Sequence, residues 1–311
     1  MSRRIITLMA TAVGVALLVW QVRAIGVGEI LDGLRRLGPL GLVLILGASL
    51  VRQVFRTLAW TLLMDANVPF STALAATMSG DAIGNLTLSL IVSEPAKAMY
   101  VREHIPPPRA LAALAAENFF YSISVAVAVL VGVAVLFLEF PAVPVELRTA
   151  SLILVGGMVA VLVAALWLIA REPALVSATL GRFVSSRNLE KIRELEESSY
   201  GFVRSRPGRL AAVVLCEIGF HVFSIAETWI TLIFLGFHSM ALAIVLDTVQ
   251  RMVNVVFKLV PLKVGVDEVG SGFTSNALGY GLALGVTMAV VRKVRVLIWA
   301  ALGLLLQLSR K

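Results

Sequence analysis

The chain has 311 residues, of which 59% are hydrophobic and 15% charged, with a formal net charge of +8 and a single cysteine. Soluble domains run at roughly 45–50% apolar and about 25% charged residues. The composition and a mean hydropathy of +0.93 therefore argue against a soluble enzyme, a nucleic-acid binder or a disordered chain, and the lone Cys216 against an internal disulfide or a cysteine metal cluster.

Several apolar runs are long enough to cross the roughly 30 Å of a bilayer's hydrocarbon as helix. Met1 to Val22 opens with Arg3 and Arg4 and reads as an uncleaved first span, since no small-residue cleavage site follows it. Residues 23–38 place Val27, Ile30, Leu31 and Leu34 on one helical face with Glu29, Asp32, Arg35 and Arg36 elsewhere. That pattern is an interfacial amphipathic helix, with a solvated linker as the alternative. Pro39 opens a second span to about Leu63.

Ser71 to Val92 is softer, with Gly80, Asp81, Gly84 and Asn85, and it stops at Glu94-Pro95. Spans follow over Ala110–Leu138 and Ala150–Ala170, then an extended polar connection over 171–209 in which 188–197 reads as a short charged helix. Leu210–Leu235 is a further span. Ala241–Gly285 is apolar but broken by Pro261, Gly265, Asp267, Glu268, Gly270 and Gly272, and Val286–Leu308 is the last span.

Cytoplasmic loops carry an excess of Lys and Arg. With the N-terminus inside, fifteen such residues fall on cytoplasmic segments against four outside. The count holds only if Ser71–Glu94 and Ala241–Gly285 each enter the membrane and return on the same side. The reading is an all-α polytopic protein, one transmembrane domain over 1–311, with about six full spans and two re-entrant or broken helical hairpins. The hairpins form an inverted repeat or are two unrelated kinks. Irregular backbone at that depth has to face protein or a polar cavity. Arg292, Lys293 and Arg295 oppose the bias, so either they line the cavity or that segment is drawn wrongly.

Charges at the bilayer centre cost roughly 2.5–3.5 kcal/mol on insertion scales, so clusters of them are informative. Asp247, Arg251, Asn254 and Lys258 share one helical face, with Asp247 able to pair with Arg251; the alternative is a neutralised helix contact. Glu217, His221, Ser224 and Thr228 repeat the same spacing. A proton relay or a hydrogen-bonded helix contact is favoured there over a metal site, which lacks a third ligand. Arg52 and Arg56, with Trp60, stand on one face of the second span and either snorkel or bind phosphate. Two breaker motifs complete the set: Asn85, Glu94 and Lys97 in the first, and Asn254, Lys258, Pro261, Lys263, Gly265, Asp267 and Glu268 in the second. Helix tips there would offer free N–H groups to an anion. Asp267 is expected to cap the helix after the second break, and Glu268 to bind a cation or orient Lys258 and Lys263.

At these motifs the chain resembles the flippase-like membrane family related to the transmembrane part of lysylphosphatidylglycerol synthases. Arg56 and Trp60 match its first element, and Asn254, Pro261, Gly265 and Glu268 its last. Asn85, Glu94 and Lys97 match the middle one in part, because Ser89, Ile91 and Ser93 stand where Pro, Arg and Gly are usual. The variant around Glu94 is similar to a branch associated with hopanoid synthesis. The resemblance implies a bacterial cytoplasmic (inner) membrane protein that translocates an amphipathic lipid, with no cofactor or metal and no aminoacyl transfer, since the family's lysyl-transfer domain would follow the last span. A non-catalytic scaffold for lipid-biosynthesis proteins, docking through 171–209, and a lipid-modifying membrane enzyme are the competing readings. No phosphate-binding ATPase loop occurs in the sequence, so energy would come from an ion or lipid gradient.

The topology has a direct check. In a Cys216-free background, a cysteine at Asn188 is expected to be labelled only from the cytoplasm and one at Pro144 only from outside. Labelling of both from one face would overturn the two-hairpin count.

Overall fold

The computed structural model describes residues 27–64, 66–86, 89–171, 207–257, 263 and 265–308. The predicted first span, most of the 171–209 connection, Lys258 and Pro261 lie outside them. Among the described residues the chain forms nine helices and no strands: α1 Val27–Met64, α2 Phe70–Leu86, α3 Ser89–Tyr100, α4 Pro107–Glu139, α5 Val145–Arg171, α6 Pro207–Phe234, α7 Met240–Val256, α8 Val266–Ala277 and α9 Leu282–Leu308.

Local chemistry places the boundaries. Gly38 breaks α1 at φ 65°, a conformation that favours glycine, and Pro39 restarts the helix where a missing N–H costs nothing. The amphipathic segment and the second span are thus two helices in succession, as the sequence predicts. The Pro106–Pro108 run supplies α4 with proline at its start. Ser239 caps α7, its hydroxyl accepting from the Leu242 N–H at 3.1 Å.

Among the described residues four helices are long and apolar enough to cross a membrane: residues 35–64 of α1, α4, residues 145–167 of α5, and α6. The 27-residue α9 reaches about 40 Å at 1.5 Å per residue but carries Arg292, Lys293 and Arg295. It begins at Leu282, one turn before the predicted Val286. On α5, Ile153, Val163 and Leu166 are exposed, a face suited to lipid.

At both predicted breaks the chain forms two successive helices that pack together. The helices α2 and α3 pack along each other, and α7 and α8 do the same on a smaller scale. Each hairpin is a helix of 17 residues followed by one of 12. One boundary departs from expectation: Pro95 lies inside α3 instead of ending the segment. Proline removes one helical N–H, and α3 continues past it because Lys97 ties the next turn to Asp81 of α2 at 2.7 Å.

The two halves use the same packing. The most extensive pairing is antiparallel, α1 on α6, with a reciprocal fit: Phe234 of α6 sits over Gly41 of α1, and Phe55 of α1 over Gly219 of α6. Outward from this pair, α2 packs on α9 and α7 on α4. Met78, ninth in α2, lies against Gly303 of α9, and Thr248, ninth in α7, against Gly132 of α4. Such a correspondence is what an inverted repeat would produce, although α8 packs on α9 more extensively than α3 does on α4.

The close approach at Gly303 is testable. A Cβ there would lie 2.5 Å from the Met78 carbonyl oxygen and 2.7 Å from the Ala82 Cβ. Gly303→Ala is expected to destabilise the protein by about 1–3 kcal/mol through overpacking, read as lower thermal stability in detergent. Gly156→Ala, with nothing within 4 Å, should be neutral or slightly stabilising.

Candidate functional site

Membrane-spanning helices bury their charges only against opposite charges, and the described residues show this at three linked places. At the first hairpin, Lys97 is buried, with its ammonium 2.7 Å from Asp81 and 3.4 Å from Glu94. Ser93 also points at Asp81, at 3.5 Å. One helix away, Arg56 of α1 meets Glu117 of α4 at 3.2 Å, donates to Asn118 at 3.2 Å, and lies over the Tyr121 ring at 4.4 Å.

The second place is the centre, where α1, α4, α6 and α7 meet. Arg52 donates to the Ser224 hydroxyl at 3.1 Å and lies 3.4 Å from Glu227. Ser224 donates to Asp247 at 2.7 Å, and Asp247 accepts from the Arg251 Nε at 2.7 Å. A second Arg251 nitrogen donates to His221 Nδ1. The other ring nitrogen of His221 is 2.9 Å from the Ser124 hydroxyl, which in turn reaches Glu217 at 2.9 Å. Arg295 of α9 closes the far side on Glu227.

The third place is the second hairpin. Arg292 makes a two-pronged contact to Asp267, at 2.7 and 3.2 Å, and Lys293 pairs with Glu268.

These contacts revise several expectations. The Gly265 N–H at the start of α8 donates to Glu268 at 2.9 Å, so Glu268 makes the cap assigned to Asp267. Asp267 is two residues past the cap residue Gly265 and is claimed by Arg292. Glu268 is oriented by Lys293, a partner the sequence reading did not assign to it. Arg52 and Arg56 are both held by carboxylates, Glu227 and Glu117. Asp247 pairs with Arg251 as the spacing predicts, but it is not the only partner of Arg251, since His221 shares the guanidinium. Glu217, His221, Ser224 and Thr228 are all buried, as one inward face. Asn85 and Asn254 are half-buried on α2 and α7. Lys263, in the left-handed region at φ 50°, stands between α7 and α8.

The sequence does not single out Glu117, Ser124 or Glu227, and it shows Asp81 only as a polar residue in a soft apolar segment. It also left Arg292, Lys293 and Arg295 as a contradiction, which burial against Asp267, Glu268 and Glu227 resolves. Glu117 carried a usable signal: a lone carboxylate inside an apolar span requires a cation from another helix. No group of three metal-ligating side chains is present among the described residues.

The network is not uniformly closed. The side chains of Arg52 and Arg56 keep 16% and 19% of their surface, and those of Asp81 and Glu94 keep 26% and 27%. The groups behind them, from Asp247 and Arg251 to Arg295, are buried. A separate cavity of about 380 Å³ lies at one end of the bundle, between Arg36, Phe234, Phe237 and Tyr280, and does not include the network.

Asp247 measures how far the central pair supports the fold. Asp247→Ala would leave Arg251 buried without its carboxylate, which costs about 3–5 kcal/mol for a broken buried pair. Asp32, in an exposed pair with Arg35, should cost at most about 1 kcal/mol on the same substitution. Thermal stability of the two purified variants decides the contrast.

No curated protein and no solved structure matched this chain. The model of the lysylphosphatidylglycerol synthase TM region matches residues 7–303, nearly the whole sequence and every element described above. The family fits a membrane protein with a lipid-related role and is consistent with a non-catalytic one. The chain belongs to the family of the lysylphosphatidylglycerol synthase TM region.

Proposed function

We propose that the protein is a flippase-like lipid translocator, moving an amphipathic lipid with a phosphate headgroup across the bacterial cytoplasmic membrane. One observation carries the reading. Arg52 and Arg56, one turn apart on α1, are partly open at membrane depth while the charges behind them are closed. A guanidinium presents a planar fork of donors matched to phosphate oxygens.

Energetics support a role beyond holding helices together. Buried ion pairs are weak evidence for stability, because apolar residues of similar volume often do as well or better. A bundle that needed only to pack would use contacts such as Gly219 on Phe55 throughout. A chain of pairs extending from the open arginines into the core suits a cargo that exchanges partners: a phosphate can replace the carboxylate on Arg56 or Arg52 and keep the guanidinium paired, while the released carboxylate takes a proton or another cation. Two equivalent hairpins, one in each half, give the symmetric elements that alternating access requires. In this reading the N-terminus and the polar connection over 171–209 face the cytoplasm.

The test separates charge from fold. Arg56→Gln together with Glu117→Gln removes both members of the pair, so neither is left uncompensated, and the protein should insert normally. In liposomes bearing a fluorescent phospholipid, the wild type is expected to expose labelled lipid to an external quencher, and the double variant to lose at least about tenfold in rate, the equivalent of one good charged contact. Equal rates would remove Arg56 from the headgroup site.

A further inference from the structure

The Arg251–His221–Ser124–Glu217 chain is not needed to hold a headgroup, and its hydrogen-bond directions are fixed at the imidazole. Arg251 can only donate, so His221 Nδ1 must accept and the ring hydrogen sits on Nε2. That nitrogen then donates to the Ser124 hydroxyl, whose own hydrogen has two acceptors in reach, the Tyr121 carbonyl oxygen at 2.8 Å and Glu217 at 2.9 Å. While Arg251 is docked, Nδ1 has no lone pair to offer, so the imidazole cannot take a proton. If the guanidinium moves off, Nδ1 becomes a base facing Asp247.

Every packed element contributes to the balance. Arg52 and Arg56 face the ring from α1, and Tyr121, which stacks on it at 6.3 Å, Ser124 and Glu117 face it from α4. Arg251 and Asp247 lie on α7, Glu217 on its own helix, and α9 presents Arg295 to Glu227 beyond. Each cation other than Arg251 is also paired with a carboxylate, Arg52 and Arg295 with Glu227 and Arg56 with Glu117. Glu217, by contrast, is bonded through Ser124.

We propose that His221 is a proton-binding site controlled by Arg251, so that an anionic lipid headgroup which draws the guanidinium away is carried together with one proton. This rests on the translocator reading above and adds the coupling ion. The route runs through three contacts: a headgroup arriving at the partly open Arg52 disturbs Ser224, which holds Asp247, which holds Arg251. The proton enters from the water on the side of headgroup entry, binds Nδ1 in place of the guanidinium N–H, and leaves to the opposite side when Arg251 returns. One negative headgroup and one proton make the cycle electroneutral.

The experiment uses the full chain in phosphatidylcholine vesicles containing a fluorescent phosphatidylglycerol. For one proton per lipid, a gradient of one pH unit corresponds to about a tenfold bias in lipid distribution between leaflets. Wild type is expected to approach that bias, and to show none when a potassium diffusion potential replaces the pH gradient. In His221→Gln the amide can accept from Arg251 and donate to Ser124 but cannot bind a proton, so the ratio with and without gradient should fall to about one. Ser124→Ala, which unlinks the ring from Glu217, should lower the response too and stands in if the first variant does not insert. A gradient response retained in whichever variant inserts, or wild-type movement that follows the potential, overturns the coupling. Wild-type movement indifferent to pH overturns it alone and leaves the translocator reading standing. Absence of any wild-type lipid movement overturns both.

Discussion

A charge placed in hydrocarbon has to find an opposite charge, and in this protein that requirement decides which helices lie side by side. Water screens and solvates an unpaired lysine at a soluble surface; the bilayer interior does neither. Lys97 therefore closes the first hairpin on Asp81, Arg292 and Lys293 fasten the second hairpin to α9, and Arg52 with Arg295 brings α1, α6 and α9 together on Glu227. The hydrophobic effect supplies little discrimination here, because lipid tails are as apolar as the leucines they would replace. Close packing at Gly41, Gly132, Gly219 and Gly303 fixes how near the helices come, and the ion pairs fix their rotation and register.

The pairs also join the two halves. Arg56 on α1 bonds to Glu117 on α4, and Glu227 on α6 bonds to Arg295 on α9. At the contact between halves α1 brings a cation and α6 an anion, so Arg52 and Glu227 attract across the central seam.

Much of this was legible in the sequence, and what was not has physical reasons. Breakers at Gly84–Pro95 and Pro261–Gly265 announced the hairpins, and the charge count required them to return. Asp247 and Arg251 could be paired from spacing alone, because an i, i+4 contact is local. Partners on different helices could not: nothing in the run around Glu117 states that Arg56 is opposite. The cap was misread because Asp267 and Glu268 both lie near an N-terminus, and only the position of Gly265 as the cap residue decides between them. Pro95 looked like a terminus because its local cost is certain, whereas the ion pair that offsets it is tertiary.

The pairing constraint also bears on how such a core could open. Separating two buried charges outright leaves each uncompensated, at about 3–5 kcal/mol per broken pair, and opening several at once would exceed what a marginally stable fold tolerates. Opening by exchange avoids this. In the proposed translocator an anionic headgroup arriving beside Arg52 or Arg56 would take the place of a carboxylate, and the released carboxylate would need only a nearby cation or a proton. Where the network offers Arg251, shared between Asp247 and His221, the displaced member has a second partner in reach. A linked chain of pairs can thus pass a vacancy along its length at far less cost than any one pair would need to break alone, and the partly open arginines mark the end at which a vacancy can be introduced.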